Sequence, residues 1–78
     1  MASAARLPLA MVGEGETACV AQVRGDAETR QHLANLGFVE GSAVKVVSRA
    51  AGDVIVSVKG ARLALNRAMA SRISVTLG

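Results

Sequence analysis

A single cysteine, a single proline, one phenylalanine and neither tryptophan nor tyrosine stand in a chain of 78 residues. Each scarcity excludes something. Cys19 cannot form an intrachain disulfide, which fits a reducing compartment and removes any zinc site built on cysteine pairs. Its expected role is a small buried apolar residue on a strand. Without Trp and Tyr, neither a groove that holds polyproline between aromatic rings nor a platform that stacks nucleic-acid bases has the rings it needs. No proline- or serine-rich stretch breaks the composition, so one domain spanning residues 1–78 is expected. The N-terminal apolar run from Leu7 to Val12 is interrupted by Pro8 and is shorter than the apolar region of a signal peptide. Nothing approaches the roughly 20 apolar residues of a membrane span, and a cytoplasmic protein is expected. There is no phosphate loop of the form GxxxxGK[ST] and no carboxylate pair at catalytic spacing, so the expectation is a protein that is not an enzyme.

What is present is hydrophobic and weakly basic. Hydrophobic residues make up 51% of the chain, which argues against disorder. At this size one core supplies only about 3–5 kcal/mol of net stability, so the strands need a closed arrangement or a partner. The net charge of +3 and a pI near 10.0 invite nucleic acid as a ligand. The cations are scattered, however: Arg24, Arg30, Lys45, Arg49, Lys59, Arg62, Arg67 and Arg72 form no run. No nucleic-acid partner is expected; a small RNA-binding barrel of the translation-factor kind is the alternative reading.

Periodicity predicts strands around one helix. "TACVAQV", Thr17 to Val23, is the first strand. Asp26 is a good helix N-cap, Glu28 sits in the first turn near the positive end of the dipole, and Thr29, Leu33 and Leu36 share one face. Alternation then predicts strands about Val44–Val46, Val54–Val58, Leu63–Leu65 and Ile73–Leu77. "AAGD" and "KGA", with Gly60, have hairpin length, and "NRAMAS" has room for one helical turn. The expected fold is mainly β: a small, partly closed antiparallel barrel of about five strands with one short α-helix packed on it. Leu33, Leu36, Val46, Val56, Leu65, Ile73 and Val75 are its expected core.

The segment "LGFVEG" is the expected helix-to-strand corner. Gly37 just past the helix can adopt the left-handed conformation that stops it, which places Phe38 where a Schellman motif folds an apolar side chain back onto Leu33. Gly41 completes the turn into "AVKVVSR".

In this order, "GETACVAQV", "LGFVEGSAVKVV", "GDVIVSVKG" and "LALNRAMASRISV" resemble the ferrous iron transport protein A (FeoA) family over roughly residues 7 to 77. The resemblance implies an SH3-like domain that acts as an accessory in bacterial ferrous iron uptake. It would bind the cytoplasmic part of the large GTP-binding ferrous iron transporter (FeoB), without chemistry of its own and with membrane association only through that transporter. The SH3-like C-terminal module of metal-dependent repressors is a second relative of this pattern, although no helix-turn-helix segment accompanies it here.

Candidate site residues are therefore interface residues. Phe38, Val39 and Glu40 at the corner, Glu28, Arg30 and His32 on the helix, and Val47 and Ile55, which lie out of phase with the inward valines, are the expected contacts for a partner or a homodimer. A bulge or a tight barrel that buries Val47 and Ile55 is the competing expectation. Glu28 and His32, spaced i to i+4, could offer two ligands to Fe²⁺ or another divalent metal, which makes a weak site at most; no cofactor is expected to be required.

Overall fold

The computed structural model describes residues 6–77. Six strands form one antiparallel sheet: β1 (Arg6–Pro8), β2 (Thr17–Val23), β3 (Ala43–Ala50), β4 (Asp53–Val58), β5 (Ala61–Leu65) and β6 (Ile73–Leu77). Their spatial order is β1-β6-β2-β3-β4-β5, so the two edge strands do not pair with each other. The strand beyond the five expected is β1, three residues that pair with β6 between Arg6 and Thr76, Leu7 and Val75, and Pro8 and Ser74. Its brevity and its proline hide it from an alternation test.

Two helices accompany the sheet, α1 (Ala27–Asn35) and α2 (Arg67–Ser71), with a single 3-10 turn at Leu9–Met11. Asp26 caps α1 by accepting from the Thr29 N–H at 2.8 Å, and Asn66 caps α2 by accepting from the Met69 N–H at 2.8 Å. The second helix packs on the 3-10 turn and on β4, β5 and β6. The first contributes one buried residue, Leu33. Thus α2 with the 3-10 turn, more than α1, covers the sheet, because its Ala70 is small enough to lie flush in the core.

The valines of β3 and β4 alternate as their period demands: Val44, Val46, Val54, Val56 and Val58 are buried. Strand β6 does not alternate, since Ile73, Ser74 and Val75 are all buried. It is an inner strand, flanked by β1 and β2 in the sheet, and it also contacts the 3-10 turn and α2.

Two side-chain expectations, for Cys19 and Leu36, are corrected. Cys19 is exposed, because Ala18 and Val20 set the inward phase of β2. Leu36, the C-cap of α1, is 37% exposed, and of the helix stripe only Leu33 is buried. Leu77 is 43% exposed at the open end of β6.

Candidate interaction surface

The corner between α1 and β3 is fixed by backbone hydrogen bonds. The Phe38 N–H donates to the Leu33 carbonyl at 3.0 Å and the Gly37 N–H to the Ala34 carbonyl at 3.0 Å, the pair that defines a Schellman motif. Gly37 has φ 110°, a value that side-chain-bearing residues rarely adopt. Phe38 is 1% exposed and packs in the core with Leu33. Its side chain is therefore a plug and not a contact surface, which corrects its place among the interface residues: the motif that stops the helix also turns the ring inward.

Beyond Phe38 the chain is tied to β2. The Gly41 N–H donates to the Val20 carbonyl at 2.8 Å, the Val20 N–H to the Ser42 carbonyl at 2.9 Å, and the Ser42 N–H to the Val39 carbonyl at 3.0 Å. Gly41 has φ 88°, and a Cβ there would meet nothing within 4 Å, so glycine is favoured by conformation and not by crowding. Val39 and Glu40 are left at the tip of this rigid corner, both exposed, Val39 by 39%. They line one side of an open cleft of about 470 Å³ that continues over Gly41, Ser42 and Ala43 to Lys59. An apolar side chain, an acid and a base thus border one concavity.

The remaining candidates are spread over the molecule. Glu28, Arg30 and His32 are exposed on α1. Asp26 beside them is held below the ordinary carboxylate value, first by the Thr29 N–H, then by the Thr29 side chain, with Arg72 and Arg30 adding attraction and desolvation opposing. Among the described residues no group of three or more His, Cys, Asp or Glu is placed to hold a metal ion, so Glu28 and His32 have no third donor beside them. Val47 sits at a register shift of the β3–β4 ladder between Val46 and Ser48, and it is half-buried, as is Ile55. The bulge draws Val47 out of the regular ladder and leaves the pair a smaller apolar surface than strict alternation gives. Gly60, φ 81°, closes the β4–β5 hairpin.

Sequence reasoning missed a second polar cleft. Ala10, Arg49, Gly52, Asp53, Val54 and Arg67 line about 240 Å³ where the 3-10 turn, the β3–β4 hairpin and α2 meet. Arg49 is occupied structurally there: its guanidinium donates to the Val12 carbonyl, and its backbone N–H donates to the Glu14 carboxylate at 2.8 Å. Only the separation of 35 and 37 positions along the chain hid these partners.

Comparison with known proteins shows the family. A profile described as the FeoA domain matches residues 7–77. A candidate Fe(2+) transport protein A of Methanocaldococcus jannaschii is 37% identical over 68 residues, which is 87% of this chain and 83% of that protein. The crystal structure of an iron uptake regulatory protein (FeoA) superposes with a TM-score of 0.83 at 31% identity, covering 91% of this chain and 95% of that one. The zinc complex of Stenotrophomonas maltophilia FeoA, described as a prokaryotic SH3 domain protein, superposes with a TM-score of 0.76 at 27% identity over 86% of each chain. The fold is accordingly SH3-like, with six strands in an open sheet.

Proposed function

The chain belongs to the FeoA family, and from that premise we propose that it serves ferrous iron uptake by binding the cytoplasmic part of the GTP-binding ferrous iron transporter, FeoB, as an accessory and not as an enzyme. The observation that carries this reading is the family match over residues 7–77, nearly the whole chain. The rigid corner that presents Val39 and Glu40 beside the cleft to Lys59 supports a protein contact there, since an immobilised tip loses little conformational entropy on binding. Glu28 and Arg30, exposed on α1, lie outside that cleft and would belong to a separate part of the partner contact. Phe38 supports the corner from beneath. No helix among the described residues is long and apolar enough to cross a membrane, which is compatible with recruitment by a transporter.

The test is an NMR amide-shift titration of the labelled chain with the soluble G domain of the transporter, loaded first with GDP and then with a GTP analogue. Saturable shifts clustered on Val39 to Ser42 are expected, and a difference between nucleotides would make the protein a nucleotide-dependent regulator. Absence of shifts in both states, and with full-length transporter in detergent, would overturn the reading.

A further inference from the structure

The two edges of the sheet are unlike. At one edge β1 is three residues long and ends in Pro8, which has no N–H to offer a new strand. At the other, β5 is five residues long and contains no proline. Beyond its ladder to β4, no backbone hydrogen bond reaches β5 among the described residues. Its outer N–H and C=O groups form a pairing template.

The side chains beside that edge carry a sign. Thr17, Lys45, Ser57 and Arg62 stand opposite one another across β2, β3, β4 and β5, and all face away from the buried valines. The next outward row runs from Ser48 through Ile55 to Ala64. Neither row contains an acid. Lys45 and Arg62, two strands apart, are separated by about 10 Å at the usual strand spacing. At the edge, Arg62 is exposed, and Ala64 is too small to cover the half-buried Ile55 behind it.

We infer that β5 accepts an extended acidic segment of a partner protein as a seventh strand. The inference rests on the reading that this chain works by protein binding, and it adds a second contact surface to the cleft of the corner. On the outward face the incoming strand places an Asp or Glu opposite Arg62 and, two residues away, a large apolar side chain opposite Ala64, where it shields Ile55. A second copy of this chain is the poorer occupant: pairing β5 with itself in antiparallel register brings two Arg62 side chains onto one face as direct or diagonal neighbours, and like charges so placed repel. The lone arginine on this edge thus discourages self-assembly and selects an acidic guest.

Two titrations of the full chain test this. The first uses the cytoplasmic part of the transporter with the parent chain and with Arg62→Glu. Protection of β5 amides from hydrogen exchange, and at least a tenfold loss of affinity in Arg62→Glu with an unchanged amide spectrum elsewhere, are expected. Binding that leaves β5 unprotected and is indifferent to Arg62→Glu overturns the inference while the proposed function stands. If the transporter does not bind at all, that function fails, and the second titration decides alone. Its probe is a blocked octapeptide, acetyl-Thr-Glu-Thr-Leu-Thr-Glu-Thr-Leu-amide, compared with the peptide that has lysine in place of glutamate. Saturable shifts on Ala61 to Leu65 with the acidic peptide, absent with the lysine peptide and in Arg62→Glu, sustain the inference; no shifts there, or equal shifts with both peptides, overturn it.

Discussion

The Phe38 N–H donates to the Leu33 carbonyl at 3.0 Å, and the two side chains are buried in the same core. Leu33 is the one buried residue of α1. The helix therefore depends on this pair for its position. Leu33→Ala is expected to cost about 2–5 kcal/mol and Phe38→Ala about 3–5 kcal/mol by denaturant unfolding. Gly37→Ala should cost at least about 1–2 kcal/mol, since φ 110° is strained for alanine and the new methyl would lie 3.4 Å from Val58 Cγ2. An unchanged midpoint in Gly37→Ala would remove the cap from the account.

The two hairpins store strain that substitution can relieve. Each has a two-residue loop, Ala51-Gly52 between the paired Ala50 and Asp53, and Lys59-Gly60 between the paired Val58 and Ala61. All four loop residues have positive φ, including 52° at Ala51 and 50° at Lys59, as type I′ turns require. Asparagine tolerates this conformation better than alanine or lysine. Ala51→Asn and Lys59→Asn should each stabilise by about 0.5–1 kcal/mol, read as a higher melting temperature. A fall in both variants would show that these loops are not limited by backbone conformation.

Which parts of this architecture a sequence discloses follows from how each strand is buried. Strands β3 and β4 have one face in the core, so their valines alternate visibly. Strand β6 buries Ile73, Ser74 and Val75 in succession, Ser74 in spite of its polarity, so its alternation carries no directional information. Cys19 looked inward by its chemistry and faces outward by the phase of Ala18 and Val20: position overrides type on a short strand. The Schellman corner was legible because glycine followed by an apolar residue has one economical geometry after a helix. Of the interface candidates, Val39 and Glu40 lie beside a cleft that only the return of Lys59 from the β4–β5 turn creates. The edge of β5 needed the strand order, which no local pattern contains.

Acid should weaken the fold through Asp26. Its carboxyl is held below the ordinary 3.8 by the Thr29 N–H first, with Arg72 and Arg30 helping. The unfolded chain then takes up this proton at a higher pH than the folded one does. The contribution is complete above the unfolded value and is lost as the pH falls through the folded value. The melting temperature of the parent chain should therefore drop more steeply below about pH 4 than that of Asp26→Asn, which keeps the cap but cannot titrate. Parallel curves from pH 2 to pH 6 would mean that the cap is insensitive to charge.

Arg49 ties the loop after the 3-10 turn to β3, and the tie runs in two directions. Its guanidinium donates to the Val12 carbonyl, while the Glu14 carboxylate accepts from its backbone N–H at 2.8 Å. The same loop is held independently at the bulge, where the Gly15 N–H donates to the Val46 carbonyl at 2.7 Å and the Val46 N–H to the Glu16 carbonyl at 3.0 Å. Removing the guanidinium should therefore cost only the bond to Val12 and not the loop. Arg49→Ala is expected to lose about 1–2 kcal/mol of stability. Glu14→Ala should lose less, because water can replace an exposed carboxylate, yet it should speed hydrogen exchange at the Arg49 amide by at least severalfold. If Arg49 exchanges at the same rate with and without Glu14, the carboxylate bond is not maintained in solution, and of the two ties at Arg49 only the guanidinium's bond to Val12 holds.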